Sequence, residues 1–253
     1  MKFLTILILC LLLLQCGVKT KAVDNTPYAT KIDTITYFDN VRSRPIPVAI
    51  YQPNNPKLAN GVPIIFSHGY GENRGTDYID AYNYLVEFLA SKGYFVVSVQ
   101  HELKTDELLA MTGKLNETRM PNWERGVQNI LFALNKIKEN HPQLNYKKLV
   151  LIGHSNGGDM TVLFGHKYPH LVDKMIAMDN RRMKLPLTSQ PKIYTLRSND
   201  YPADEGVLPT DVEKSKYKMT VDFTNINHSS MDNDATAEER EYLTQKILQY
   251  LKD

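Results

Sequence analysis

Cysteine is almost absent from this sequence of 253 residues, which contains two, Cys10 and Cys16. Both lie among the first 16 residues, so the rest of the chain can form no disulfide within itself and offers no thiolate ligand to a metal. The histidines show no metal-ligand spacing either. The sequence therefore predicts neither a metal nor a cofactor.

A strong excess of charge is also missing. The formal net charge is +2, and lysine and arginine are scattered along the chain, which argues against a nucleic-acid partner. Internal repeats and low-complexity segments are not found, and 42% of the residues are hydrophobic, as in ordinary globular proteins. We expect residues 23–253 to form a single domain.

Long apolar runs are limited to the N-terminus, where Lys2 precedes a mostly apolar stretch over residues 3–14. This stretch is too short to span a bilayer comfortably and is typical of a secretory signal. Residues 13–17 resemble a bacterial lipoprotein signal, which would be lipidated at Cys16. Ordinary cleavage after Ala22 is the alternative. Both predict export, either as a periplasmic or cell-surface lipoprotein attached to the membrane or as a secreted protein.

Strand patterns alternate with helical ones along the rest of the chain. An alternating stretch at 32–38 and another at 47–51 predict an antiparallel pair. Further strands are predicted at 62–67, 94–99, 149–152, 174–178, 192–196 and 219–224, and helices at 81–91, 123–140, 159–167 and 237–251. Residues 103–122 lack regular spacing and are predicted to be a surface connection or a flap. This order predicts an α/β fold with a mostly parallel sheet and helices on both faces.

A Gly-x-Ser-x-Gly sequence, Gly153-His154-Ser155-Asn156-Gly157, separates an apolar run from a stretch of helical spacing. This context is typical of a nucleophile elbow, a tight turn between a strand and a helix. The two glycines remove side chains that would collide in such a turn, so the Ser155 hydroxyl would stand exposed at a helix N-terminus. Ser155 is therefore the predicted nucleophile.

A serine hydroxyl needs a base to take its proton, and the base needs a carboxylate to stabilise its charge. Chains with this elbow supply serine, acid and histidine in that order. His228 is the histidine that lies far enough beyond Ser155 to follow a later strand. Asp179 and Asp200 both follow predicted strands between the two, and the pattern alone does not separate them as candidates for the acid.

The strand at 62–67 ends in His68-Gly69-Tyr70-Gly71. A backbone amide at this strand end can join the amide of Asn156, the residue after the nucleophile, to hold a developing oxyanion. We expect the Tyr70 amide to be that donor and the Tyr70 side chain to line the acyl pocket. We expect His68 to orient this loop.

Residues 66–71, 89–101 and 153–158 together resemble the α/β-hydrolase family that contains platelet-activating-factor acetylhydrolases, and residues 178–186 resemble the segment that carries the acid there. Similarity to dienelactone-hydrolase-like proteins is weaker and covers the same elbow. The resemblance implies Asp179 as the acid, with Asp200 as the alternative, and oxyanion amides at Tyr70 and Asn156. Asn180-Arg181-Arg182 stands where that family leads us to expect bulky apolar residues.

The first hypothesis is thus an exported serine hydrolase that cleaves small carboxylic esters, such as short-acyl lipids, through an acyl-serine. A catalytically degenerate scaffold that binds a lipid or glycan as a surface lipoprotein is the alternative. Its distinguishing feature would be a missing catalytic residue.

Overall fold

The computed structural model describes residues 28–253, and the predicted export signal with Cys16 lies outside the described residues. Within that range, eight strands form one sheet. They are β1 Thr30–Asp39, β2 Arg44–Pro53, β3 Pro63–Ser67, β4 Phe95–Val99, β5 Val150–His154, β6 Lys174–Met178, β7 Lys192–Arg197 and β8 Thr220–Phe223.

The strands lie in the order β1-β2-β4-β3-β5-β6-β7-β8. β1 pairs antiparallel with β2, and β2 pairs antiparallel with β4, whereas every pair from β4 to β8 is parallel. The residues of β3, β4, β5 and β6 are all buried, as expected for parallel strands that are covered on both faces. Because these strands run in one direction, their carboxyl ends meet along one edge, where a ligand site is expected.

Seven α-helices accompany the sheet in the described part of the chain. They are α1 Asp77–Asp80, α2 Asn83–Ser91, α3 Leu115–Thr118, α4 Met120–Asn140, α5 Ser155–Lys167, α6 Asp211–Tyr217 and α7 Ala237–Lys252. None of them combines the length and the apolar character that crossing a membrane requires.

Successive residues of a strand face opposite sides of the sheet, and the core is divided accordingly. Phe66 packs with buried residues of α2 and α7 on one face, whereas Ile65 packs with buried residues of α4 and α5 on the other. Helices therefore cover both faces, which confirms the predicted fold class.

The structure moves the start of three predicted helices, with α2 beginning at Asn83 rather than at 81 and α5 at Ser155 rather than at 159, and it adds helices that were not predicted. Helix α4 begins at Met120 rather than at 123, and Pro121 lies in its first turn, where its missing N–H leaves no hydrogen bond unmade. Helix α6 was not predicted, although Thr210 and Glu213 form a capping box at its start. The Thr-x-x-Glu spacing was the available signal.

Candidate active site

The turn at Ser155 joins β5 directly to α5, and its backbone has an unusual conformation. Ser155 has a φ of 52°, in the left-handed region that a non-glycine residue seldom adopts. A Cβ added at Gly157 would collide with the backbone oxygens of Ser67 and His68, and one at Gly153 would collide with the backbone of Gly157. The two glycines therefore allow β3, β5 and α5 to approach closely enough to form this turn.

A continuous hydrogen-bonded chain starts at the Ser155 hydroxyl. The Oγ atom lies 2.9 Å from Nε2 of His228, and Nδ1 of His228 lies 2.5 Å from Oδ2 of Asp179. The Ser155 hydroxyl can thus donate to Nε2, while Nδ1–H donates to the carboxylate. The structure brings together three residues that are far apart in the sequence, at the carboxyl ends of β5 and β6 and in the loop after β8.

Asp179 is fully buried and has a φ of 52°, like Ser155. Its carboxylate accepts hydrogen bonds from the backbone N–H and the hydroxyl of Ser198, at 3.0 and 2.8 Å, and lies 3.0 Å from the Arg197 guanidinium. Burial alone would raise the pKa of Asp179, but the hydrogen bond from His228, the charge of Arg197 and the Ser198 donors outweigh it and lower the pKa to about 2. The carboxylate is therefore ionised at neutral pH.

Asp200, the other candidate acid, contacts a different part of the same histidine. Its Oδ1 atom accepts the backbone N–H of His228 at 2.7 Å. The two carboxylates thus have separate positions, Asp179 on the imidazole and Asp200 on the backbone of the loop that carries it.

Tyr82 and His154 form a pair of contacts that fix the loop after β3. The Tyr82 hydroxyl accepts the N–H of Gly69 at 3.0 Å and lies 2.6 Å from Nδ1 of His154, to which it can donate. His154 is buried, and burial followed by the charge of His228 lowers its pKa to about 3, so the ring is neutral at pH 7. His68 is also buried, with Nε2 accepting the His101 N–H at 3.1 Å and Nδ1 lying 2.6 Å from the Gly69 carbonyl oxygen.

The two predicted oxyanion donors, the backbone N–H groups of Tyr70 and Asn156, follow β3 and β5. Tyr70 makes no backbone N–H hydrogen bond to another residue in the range 28–253. Asn156 is the second residue of α5, where an N–H has no partner within the helix. The Tyr70 ring lines a pocket of about 210 Å³ with Ser155 and His228, and its hydroxyl accepts the Leu109 N–H at 3.2 Å.

Comparisons with known proteins agree with this architecture. Residues 62–179, just under half of the chain, match the family described as serine aminopeptidase, S33. A solved Klebsiella pneumoniae protein assigned as a dienelactone hydrolase is 13% identical with a TM-score of 0.61, and the alignment covers 89% of this chain and 99% of that one. The chain has the α/β-hydrolase fold. The expected resemblance to this superfamily is confirmed.

Two esterases of known structure share the α/β-hydrolase fold with this chain. Brefeldin A esterase, a bacterial homologue of human hormone-sensitive lipase, is 13% identical with a TM-score of 0.59, covering 91% of this chain and 78% of its own. An esterase of Pyrobaculum calidifontis is 15% identical with a TM-score of 0.61, and the alignment covers 90% of this chain and 86% of that one. A search among curated protein sequences finds no match.

In this α/β-hydrolase fold, the side chain of Asn156 is fixed by a buried polar network that the sequence did not reveal. Its Oδ1 atom accepts the indole N–H of Trp123 at 2.8 Å, and its Nδ2 atom donates to Asn122 at 2.9 Å and to Glu102 at 3.1 Å. Two of the partners come from the start of α4, and Glu102 lies three residues after the end of β4. The network holds the residue whose amide is the predicted oxyanion donor.

Sequence reasoning also missed the residues that surround the acid and the oxyanion loop. Arg197 is the last residue of β7 and Ser198 follows it, at the same sheet edge as Asp179, and this position was their only signal. Tyr82 directly precedes α2, and no sequence pattern indicated its contacts. Each of these contacts joins residues that are far apart in the sequence, so no local sequence pattern indicates it.

Proposed function

We propose that this α/β-hydrolase is an exported serine hydrolase that cleaves small carboxylic esters through an acyl-serine intermediate. The observation that carries the proposal is the chain of contacts from Ser155 through His228 to Asp179, at 2.9 and 2.5 Å. The esterases among the solved structures of the same fold support the choice of ester substrates.

The proposed first step is attack of Ser155 Oγ on the ester carbonyl carbon. His228 Nε2 takes the hydroxyl proton as the carbon–oxygen bond forms, and Asp179 stabilises the resulting imidazolium through Nδ1. The low pKa of Asp179 supports this role because the carboxylate keeps its negative charge during the reaction. His228 then gives the proton to the leaving alcohol, and water repeats the sequence to release the acid.

The proposed oxyanion donors are the backbone amides of Tyr70 and Asn156. Each such donor typically contributes about 3–4 kcal/mol to the stability of the transition state. The contacts of Tyr82 with Gly69 and of Trp123 with Asn156 support the proposal, since they fix the two backbone segments before substrate arrives.

Export belongs to the same proposal and rests on the sequence of residues 1–22. A lipid at Cys16 would hold the enzyme at a membrane surface, whereas cleavage after Ala22 would release it.

Hydrolysis of p-nitrophenyl esters from acetate to decanoate by the parent protein and by Ser155→Ala tests the proposal. We expect measurable hydrolysis of the shorter esters by the parent and a loss of about a millionfold in kcat in the variant. Alanine p-nitroanilide serves as a second substrate because the matched family is named for an aminopeptidase. Cleavage of the anilide alone would replace the ester proposal with an amidase. A parent protein that hydrolyses neither would favour the binding scaffold.

A further inference from the structure

Three arginines lie close together next to the Ser155–His228–Asp179 group. Arg181 and Arg182 follow β6 two and three residues after Asp179, and Arg119 precedes α4. The charges of Arg181 and Arg182 both act on the Arg119 guanidinium, which indicates that the three groups share one region. This region contains the Asn180-Arg181-Arg182 segment that departs from the apolar residues expected beside the acid.

Arg182 is the one of the three whose charge is balanced by a carboxylate. It forms an ion pair with Asp204. The other nearby carboxylate, Asp159, is buried and accepts hydrogen bonds from the backbone N–H groups of Arg182 and Met183, at 3.0 and 2.8 Å. These bonds hold Asp159 against the backbone of the loop after β6, and it forms no ion pair with an arginine side chain within residues 28–253.

Arg119 and Arg181 have no carboxylate partner within the described residues. Arg119 donates from Nε to the Ala110 carbonyl at 2.8 Å. The Arg181 guanidinium lies over the Tyr201 ring at 3.5 Å from its centroid, and its Nη1 atom is buried without a hydrogen-bond partner. Burial, followed by the charge of Arg182, lowers the pKa of both groups, which is the direction expected where positive charge is not compensated.

This uncompensated charge lies beside the proposed catalytic base. The Tyr201 ring that carries Arg181 also contacts the His228 ring, with centroids 6.0 Å apart. The pocket next to Ser155 is lined by a different arginine, Arg74, whose charge is balanced by Asp77 at 2.6 Å. The positive excess is therefore confined to the Arg181 side of the site.

We propose that Arg181 and Arg119 form a subsite for an anionic group of the substrate, a carboxylate or a phosphate close to the scissile ester. The planar guanidinium matches the geometry of both anions and donates to them with paired N–H groups. An anion would also supply the partner that the buried Nη1 atom lacks. The subsite deepens the proposed esterase function and rests on it.

Matched ester pairs test the subsite in the full chain. Methyl hydrogen succinate and dimethyl succinate differ by one carboxylate, and 2-acetoxyethyl phosphate and 2-methoxyethyl acetate differ by one phosphate. We expect the parent to prefer a charged member over its neutral partner in kcat/KM. In Arg181→Gln that preference falls by about tenfold or more, the effect of one hydrogen bond to a charged group, while kcat/KM for the neutral partner changes little.

Lys184→Gln is the matched control, since it removes an exposed charge from the same loop, and we expect it to keep the preference. Arg119→Gln provides a second test if Arg181→Gln folds poorly. Equal kcat/KM for charged and neutral partners in the parent, or a preference that survives in both arginine variants, overturns the subsite.

Calorimetry with the Ser155→Ala variant separates failure of the subsite from failure of the esterase proposal, because binding needs no hydrolysis. The dissociation constant of methyl hydrogen succinate for this variant should be lower than that of dimethyl succinate by about tenfold or more. Arg181→Gln in the same background should remove the difference. Equal affinities would overturn the subsite even if the parent protein hydrolyses esters.

Discussion

Two turns at neighbouring strand ends, after β5 and after β6, place a reactive side chain at the same φ of 52°. At Ser155 the turn is flanked by two glycines, Gly153 and Gly157, which leave room for a close approach of backbone to backbone. At Asp179 the turn is held instead by polar contacts. Its backbone N–H donates to the Leu196 carbonyl at 2.8 Å, and its carboxylate is bonded by Ser198 and Arg197.

The difference shows two ways to hold a strained residue at a site. A left-handed backbone at a non-glycine residue costs about 1–3 kcal/mol and persists only where the surroundings determine it. Around Ser155 this determination is steric and comes from the backbone packed against Gly153 and Gly157, including that of Ser67 and His68. Around Asp179 it is electrostatic and comes from the next strand. The first turn should therefore be sensitive to added volume and the second to lost hydrogen bonds.

The largest expected effect follows from changing the carboxylate at the second turn. Asp179→Asn should lower kcat for ester hydrolysis by about ten-thousandfold, because the amide cannot stabilise the imidazolium or hold its tautomer. Asp200→Asn is the matched control and should cost about tenfold or less, since its amide oxygen can still accept the His228 N–H. Steady-state kinetics with a p-nitrophenyl ester compares the two. A larger loss in Asp200→Asn would assign the acid to that residue.

Added volume at the first turn should mainly affect stability. Gly157→Ala places a Cβ against the Ser67 and His68 carbonyl oxygens, and we expect the free energy of unfolding to fall by about 3 kcal/mol. Gly206→Ala is the control, because Gly206 has a φ of 75° but open space around it, and it should cost only about 1 kcal/mol. Urea denaturation measures both. Equal losses would show that collision is not what the glycine avoids.

The smallest effect concerns His154, the residue directly before Ser155. Its pKa of about 3 is below that of an unfolded histidine, so the unfolded state binds the proton first and the free energy of unfolding falls as pH decreases from about 6.5 toward 3. In His154→Gln, the loss of unfolding free energy between pH 7 and pH 5 should be smaller by about 2 kcal/mol. Burial lowers the pKa of His101 in the same direction, so part of the loss remains.

The exposed His170 supplies the control for this pH effect. His170→Gln removes an exposed imidazole and is measured at the same two pH values. An equal pH dependence in the parent and in His154→Gln would mean that His154 takes up its proton normally in the folded state.

The contrast between the two turns also explains how far the sequence could lead. The Ser155 turn depends on glycines two positions away on either side, so the pentapeptide and its flanking strand were sufficient to predict it. The strand ends and His228 followed from chain order. The choice between Asp179 and Asp200 depended on which side chain meets the imidazole, and residue pattern left it open until the family resemblance favoured Asp179.

Contacts between distant segments explain what the sequence could not supply. The hydroxyl of Tyr82 contacts His154, and the indole of Trp123 contacts Asn156. The residues of each pair are too far apart in sequence for a local hydrophobic pattern to predict the contact. Arg181 was visible as a departure from the expected apolar residues, but its lack of a carboxylate partner depends on where Asp159 and Asp204 lie.

Covalent labelling with a p-nitrophenyl phosphonate tests the central claim most directly, because a phosphonate forms a stable adduct with an activated serine. Peptide mass spectrometry should find the adduct on Ser155 in the parent protein and in Asp200→Asn at similar rates, with labelling strongly slowed in His228→Ala and Asp179→Asn. An adduct on another residue, or labelling of Ser155 at the same rate without His228, would contradict the account.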